Sequence, residues 1–384
     1  MALTLNKTGL TTGNTVEAYH VTQSIDAFTG TVAYDISLSG SFSVTGSVAN
    51  GTADNVANNF SHAQGQTNVA SGYTSHAEGS NNSAIGVASH VEGAQNYALG
   101  NASHAEGQFV TSSGGYSHAE GYGSISSGSH SHAEGSYTIA KGDYSHAEGA
   151  TTLASGLASH AEGYLTTASG NYSHAEGHLS RATGLYSHAE GSGSLASGNA
   201  SLALGTKSTA SGNFSLAGGF QSVASGLYSL SFGLTNTATG QSSVAFGYNA
   251  HTSANNSFAF GKDVSSSADY SIAAGDNSKT LGTISFAFGN NVHSSGSNIG
   301  QFVVGRNNTQ GDTTSLFIVG SGETTGARRD AFRVRISGSI VLPTTQSAAP
   351  TWTGTDGEIV PATVGGVYRL YMWMGGAWRS SSFA

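Results

Sequence analysis

A serine returns every fourteen residues from Ser61 to Ser285, through Ser75, Ser145 and Ser201, seventeen times without an insertion. Most of these serines open a five-residue unit such as Ser145-His146-Ala147-Glu148-Gly149. A fixed period over most of a chain means a solenoid, in which each repeat buries its inner face only against its neighbours. Fourteen residues cannot hold a strand plus a helical crossover. Two short strands and two tight turns do fit. Stacked at the inter-strand spacing, seventeen coils give a rod on the order of 80 Å long.

Two glycines punctuate each unit. One ends the motif (Gly79, Gly93, Gly107) and one follows seven residues later (Gly72, Gly86, Gly142, Gly156). Regular glycine supplies positive φ or lets adjacent coils approach closely. Strand alternation then sorts the motif, with Ala147 facing one side and His146 and Glu148 the other. A narrow coil admits only small residues inside, so the alanines face in and His and Glu face out.

The later repeats show what that outer face meets. The histidine column runs His62, His76, His90, His104, His118, His132, His146, His160, His174, His188, and continues as Leu202, Leu216, Leu230, Val244, Phe258, Ile272, Phe286. Two residues along, Glu78 through Glu190 give way to Leu204, Gly218, Phe232, Phe246, Phe260, Ala274 and Phe288. So long an apolar stripe is not left in water. The same face of identical chains around an axis is the simplest cover. Those twenty-two positions, from His62 to His188 and then Leu202, Leu204, Leu216, Leu230, Phe232, Val244, Phe246, Phe258, Phe260, Ile272, Phe286 and Phe288, are therefore assigned to an inter-chain interface.

Composition narrows the function. With 55 Gly, 3 Pro and only 9% charged residues the chain is neither an ordinary globule nor a charge-rich disordered one. A net charge of -9 offers no basic surface for nucleic acid, and the absence of cysteine removes disulfides and thiolate metal sites. The sequence starting at Met1 shows no signal-like run and no apolar stretch of membrane-spanning length, so assembly in a cytoplasm without membrane insertion is expected.

The late units Ser243-Val244-Ala245-Phe246-Gly247 and Ser271-Ile272-Ala273-Ala274-Gly275 resemble the head repeat of YadA-type trimeric autotransporter adhesins, which has the same fourteen-residue period. The resemblance implies a left-handed parallel β-roll and a homotrimer. The chain shows no heptad stalk or run of C-terminal membrane strands, and its ends are similar to those of phage tail fibres and injection-system fibres, which reuse this repeat. The expected class is thus all-β. It comprises a β-rich N-terminal connector (1–60), a β-roll with a His/Glu seam (61–200), a β-roll with a Leu/Phe seam (201–300), an irregular β cap and linker (301–350), and a C-terminal β tip (351–384). As a fibre of a virion or injection particle acting outside the cell, it would bind a baseplate or tail protein through its N-terminus. Its C-terminus would bind a cell-surface glycan or protein. A bacterial surface adhesin and a glycan depolymerase are the alternatives.

The His and Glu columns admit three readings. They are rings at the seam, hydrogen-bonded across chains; or divalent-ion ligands, with His76, Glu78, His104, Glu106, His146 and Glu148 as candidates; or acid–base catalysts. Ten equal copies on a smooth rod provide no unique catalytic site, so the chain is read as a non-enzyme without cofactor. The calcium-binding Gly-Gly-x-Gly-x-Asp repeat is absent. Protonation of the histidines below about pH 6 is expected to loosen residues 61–200 first. A second column, Tyr116, Tyr144, Tyr172, Tyr186, Phe214, Tyr228 and Tyr270, reads either as turn packing or as a sugar-binding ladder. In the tip, Tyr368, Tyr371, Trp373, Trp378 and Arg379 have the chemistry of a receptor contact; the same cluster equally reads as a small trimer core.

Overall fold

The computed structural model describes residues 48–51, 55–296, 300–342, 349–350, 354–355, 358–365 and 367–382. The alternating segment around Ile36, Leu38, Phe42 and Val44 and most of the linker before Thr351 lie outside these residues.

The chain is an all-β parallel solenoid. In each coil a five-residue strand such as His146–Ala150 is followed by a two-residue strand such as Leu153–Ala154. Both pair in parallel with their equivalents one coil on, His146 with His160 and Leu153 with Thr167. Register is pinned from inside. Ala147 and Ala154 are fully buried, as are their counterparts in almost every coil, and a one-residue slip would drive His or Glu into that space. The motif serine closes the corner; Ser159 Oγ donates to the Gly156 carbonyl at 2.8 Å.

The two glycines have different reasons. Gly149 takes φ +101°, and a Cβ there would lie 2.2 Å from the Gly163 carbonyl oxygen. Gly156 has no positive φ but would clash harder, at 2.0 Å from the Gly170 carbonyl oxygen. The left-handed turn positions instead carry ordinary residues, Thr151 (φ 57°) and Ala158 (φ 48°) among them. A non-glycine residue there costs on the order of 1 kcal/mol. Inter-coil hydrogen bonds hold the geometry, Thr151 N–H to Ser136 O and Ala158 N–H to Asp143 O, both 2.8 Å.

The ladder extends past both ends of the strict repeat. Val48–Gly51 already pairs with His62–Gly65, inside the stretch read as connector. Its sequence, Val48-Ala49-Asn50-Gly51, keeps an alanine and a glycine in register with Ala63 and Gly65 and lacks only the His and Glu that made later copies visible. Beyond 300, Phe302–Arg306 and Ser315–Ser321 add two wider coils, offset by sixteen and fifteen residues. Asp330–Arg335 then folds back antiparallel on Ser315–Ser321, and Ile340–Val341 pairs on it, ending the parallel edge as a cap must. Asp312 anchors this return. Burial pushes its carboxyl up, but hydrogen bonds from Ser315, Thr314 and Arg333 prevail and hold it near about 2.

The tip is a separate three-stranded antiparallel sheet, Ile359–Val364, Val367–Met374 and Ala377–Ser382, turning at Gly365 and at Gly375-Gly376, all with positive φ.

Candidate assembly face and histidine–glutamate ladder

All residues assigned to the interface fall in two adjacent columns on one face. The register passes from polar to apolar without a break, His188 opposite Leu202 and Glu190 opposite Leu204. The apolar half is left open in one chain: Phe232, Phe246 and Phe260 are 39, 48 and 41% exposed. Phe232 stacks on Phe246 at 5.8 Å and lies over Gly218, where a Cβ would meet its ring at 2.3 Å. The same face continues into the cap through Phe286, Phe302 and Phe317 at 5.6–5.8 Å between successive rings.

In the polar half the imidazoles from His76 to His188 form one stack, and His62 meets His76 edge-on. Centroids are 4.6–4.9 Å apart from His62 to His188, and the rings of His160 and His174 are parallel within 1°. This follows from the coil pitch, because side chains two residues apart share a face and equivalents are one inter-strand step apart. Within a coil, histidine Nε2 sits 3.4–3.7 Å from the glutamate carboxylate in seven cases, from His76–Glu78 to His174–Glu176. Burial lowers the pKa of His104, His132, His160 and His188, and the neighbouring imidazoles lower it further against the pull of the glutamates. These four rings are thus held toward the neutral form. His146, Glu148 and His160 form one of several groups whose ligand atoms all lie within 4.8 Å of one another. His76 Nε2 lies 3.4 Å from the Glu78 carboxylate, and neither residue belongs to such a group among the described residues. His104 and Glu106 join Glu92 in such a group.

Two features escaped the sequence reading. One is a buried asparagine ladder, Asn55, Asn68, Asn82 and Asn96. Asn82 Nδ2 donates to Glu78 O (2.6 Å) and Gly93 O (2.8 Å), and its Oδ1 accepts from Asn96 N (2.9 Å). Later coils place Ser, Thr, Val or Ala there, as at Ser124, Thr138, Val110 and Ala250, with asparagine returning at Asn236, so no residue type marks the column. The other is His130, which stands between Tyr116 and Tyr144 in a continuous stack at 4.9 and 5.0 Å. These exposed rings cover left-handed turns and pack coil on coil, presenting edges outward.

In the tip, Tyr371 is buried, while Trp373 and Trp378 meet edge to face at 5.3 Å and enclose Gly354. Arg379 is exposed, lining an open hollow of about 270 Å³ with Leu370, Met372 and Met374. The Tyr368 side chain lies outside the described part of the structure. A further groove of about 470 Å³ on the solenoid has Asn249, His251, Asn277 and Lys279 around a single carboxylate, Asp263. It lacks the facing pair of acids that glycoside cleavage uses.

The YadA head domain repeat model matches residues 119–145, 196–222, 238–263 and 266–291. The matches fall in both the polar and the apolar halves, so one YadA-head-like repeat underlies both. A comparison with curated proteins finds no match.

Proposed function

We propose that the chain is the structural subunit of a homotrimeric, adhesin-like fibre whose three left-handed coils meet through the His/Glu and Leu/Phe columns. The observation that carries this is the open, in-register Phe stripe, Phe232, Phe246 and Phe260, on a coil whose own interior is already filled by alanine. Each phenylalanine withdrawn from water contributes about 1.5–3 kcal/mol, so a second and third copy gain far more from this face than from any other. The similarity to the YadA head repeat supports the same reading.

Within it, the fibre belongs to a phage tail or contractile injection particle, assembled in a cytoplasm and acting outside the cell. Its N-terminal end docks on a baseplate or tail protein and its C-terminal tip meets a surface glycan or protein; it catalyses no reaction. The YadA-type match also favours a second reading, a bacterial surface adhesin. Light scattering on the purified chain tests the assembly. Three chain masses are expected for the wild type, and a shift toward one chain mass for Phe246→Asp/Phe260→Asp. An unchanged mass in that variant removes the face from the interface. Labelled fibre binding to target cells tests the attachment, with Trp378→Ala/Arg379→Ala expected to lower it at least tenfold. Undiminished binding would move the receptor contact elsewhere.

A further inference from the structure

Beyond its place at the seam, the polar half of the face has the makings of a ligand site. Nine column histidines, His76 through His188, have an Nε2 shielded from water and without a hydrogen-bond partner. A buried polar atom without a partner is costly, and repeating it coil after coil calls for a missing partner. The carboxylates beside them are 29–52% exposed and open to an ion. Among the described residues the lysines and arginines in ion pairs are Lys262, Arg329 and Arg333, all far along the chain from this column.

We propose that this ladder binds zinc or a similar divalent transition-metal ion, held by an imidazole Nε2, the carboxylate of the same coil and an imidazole of the next. The in-coil separation of 3.5–3.6 Å at His146–Glu148 and His160–Glu162 is near the ligand-to-ligand edge of a tetrahedral zinc site, about 3.3–3.4 Å for bonds of about 2.0–2.1 Å. The second imidazole, within 4.8 Å, closes by tilting out of the stack, and water takes the fourth position. The nitrogen ligands select against calcium and magnesium, which want oxygen alone. All three protein ligands come from one chain, so the site stands whether or not three chains assemble.

The geometry also sets the count. The triads His132/Glu134/His146, His146/Glu148/His160, His160/Glu162/His174 and His174/Glu176/His188 overlap, and each Nε2 has one lone pair. Occupied triads must therefore alternate, so these four hold two ions. The separate group Glu92/His104/Glu106 offers one imidazole and two carboxylates and stands outside this count.

The full chain, stripped with chelator, is titrated with zinc chloride by calorimetry and equilibrium dialysis. Glu134→Gln/Glu148→Gln/Glu162→Gln/Glu176→Gln retains every histidine and the shape of the column. It is expected to bind two zinc ions per chain fewer than the wild type and to lose the zinc-dependent rise in melting temperature. Equal binding by both proteins assigns the metal to exposed histidines such as His130 and His178, and overturns the proposal, as does an absence of binding by the wild type. Should the variant not fold, zinc X-ray absorption of the loaded wild type decides. Two imidazoles per ion at the ladder sites support the proposal, and a shell of oxygen alone contradicts it.

Discussion

At the residue scale the solenoid depends on what its small residues leave out. Gly156 and Gly115 look alike in sequence, yet a Cβ at Gly156 would sit 2.0 Å from a backbone oxygen, whereas at Gly115 the nearest atom is 4.0 Å away. Gly156→Ala is expected to cost about 1–3 kcal/mol through overpacking against immovable backbone. Gly115→Ala stays within about 0.5 kcal/mol, as surface changes do. Denaturant melts of both check the pair. Asn82→Ala would orphan the Glu78 and Gly93 carbonyls and the Asn96 amide. That predicts a loss of about 1–3 kcal/mol per group not rescued by water, read from the same melts. The alanine interior and the glycine spacing were legible because one residue type recurs. The asparagine ladder was not, because Ser and Thr do the same inter-coil bonding later in the chain. Nor were the left-handed turns, where backbone hydrogen bonds override the usual demand for glycine.

At the scale of the element, the two halves of the solenoid share a backbone and differ in how they respond to pH. Each column histidine faces the imidazoles of the coils on either side and the glutamates of its own and a neighbouring coil. Burial and those imidazoles set the folded pKa of His104, His132, His160 and His188 below 6.5. As pH falls through 6.5 the unfolded chain therefore takes up protons before the folded one. Stability in this half is complete above that pH and declines below it, until the folded rings titrate in turn. Hydrogen-exchange protection factors in residues 61–200 should fall between pH 8 and pH 5, while those of the Leu/Phe half from 201 to 290 stay unchanged. An equal fall in both halves would trace the effect to something other than the ladder. The boundaries were less legible than the repeat. The first coil at Val48–Gly51 lacks the His and Glu, and the last two are widened by inserted residues that the fixed period could not accommodate. The antiparallel return at Asp330–Arg335 alternates Phe332 and Val334 as a strand does, but no residue pattern names Ser315–Ser321 as its partner.

For the whole molecule, a coil filled with alanine has little apolar core of its own, and large hydrophobic side chains are placed outside it, Phe232, Phe246 and Phe260 on one face and the tyrosines on the turns. The proposed assembly would therefore couple stability to association, as happens wherever folding and association bury the same surface. The chain contains no cysteine, so single introduced thiols report which faces meet. The most direct test places one at Phe246→Cys on the Phe stripe and another at Tyr228→Cys on the exposed turn, and oxidises each under native conditions. The account predicts rapid disulfide-linked pairs of chains at position 246 and none at 228, within a particle of three chain masses. A stable single-chain particle, with the thiol at 246 as free to react as that at 228, would contradict it.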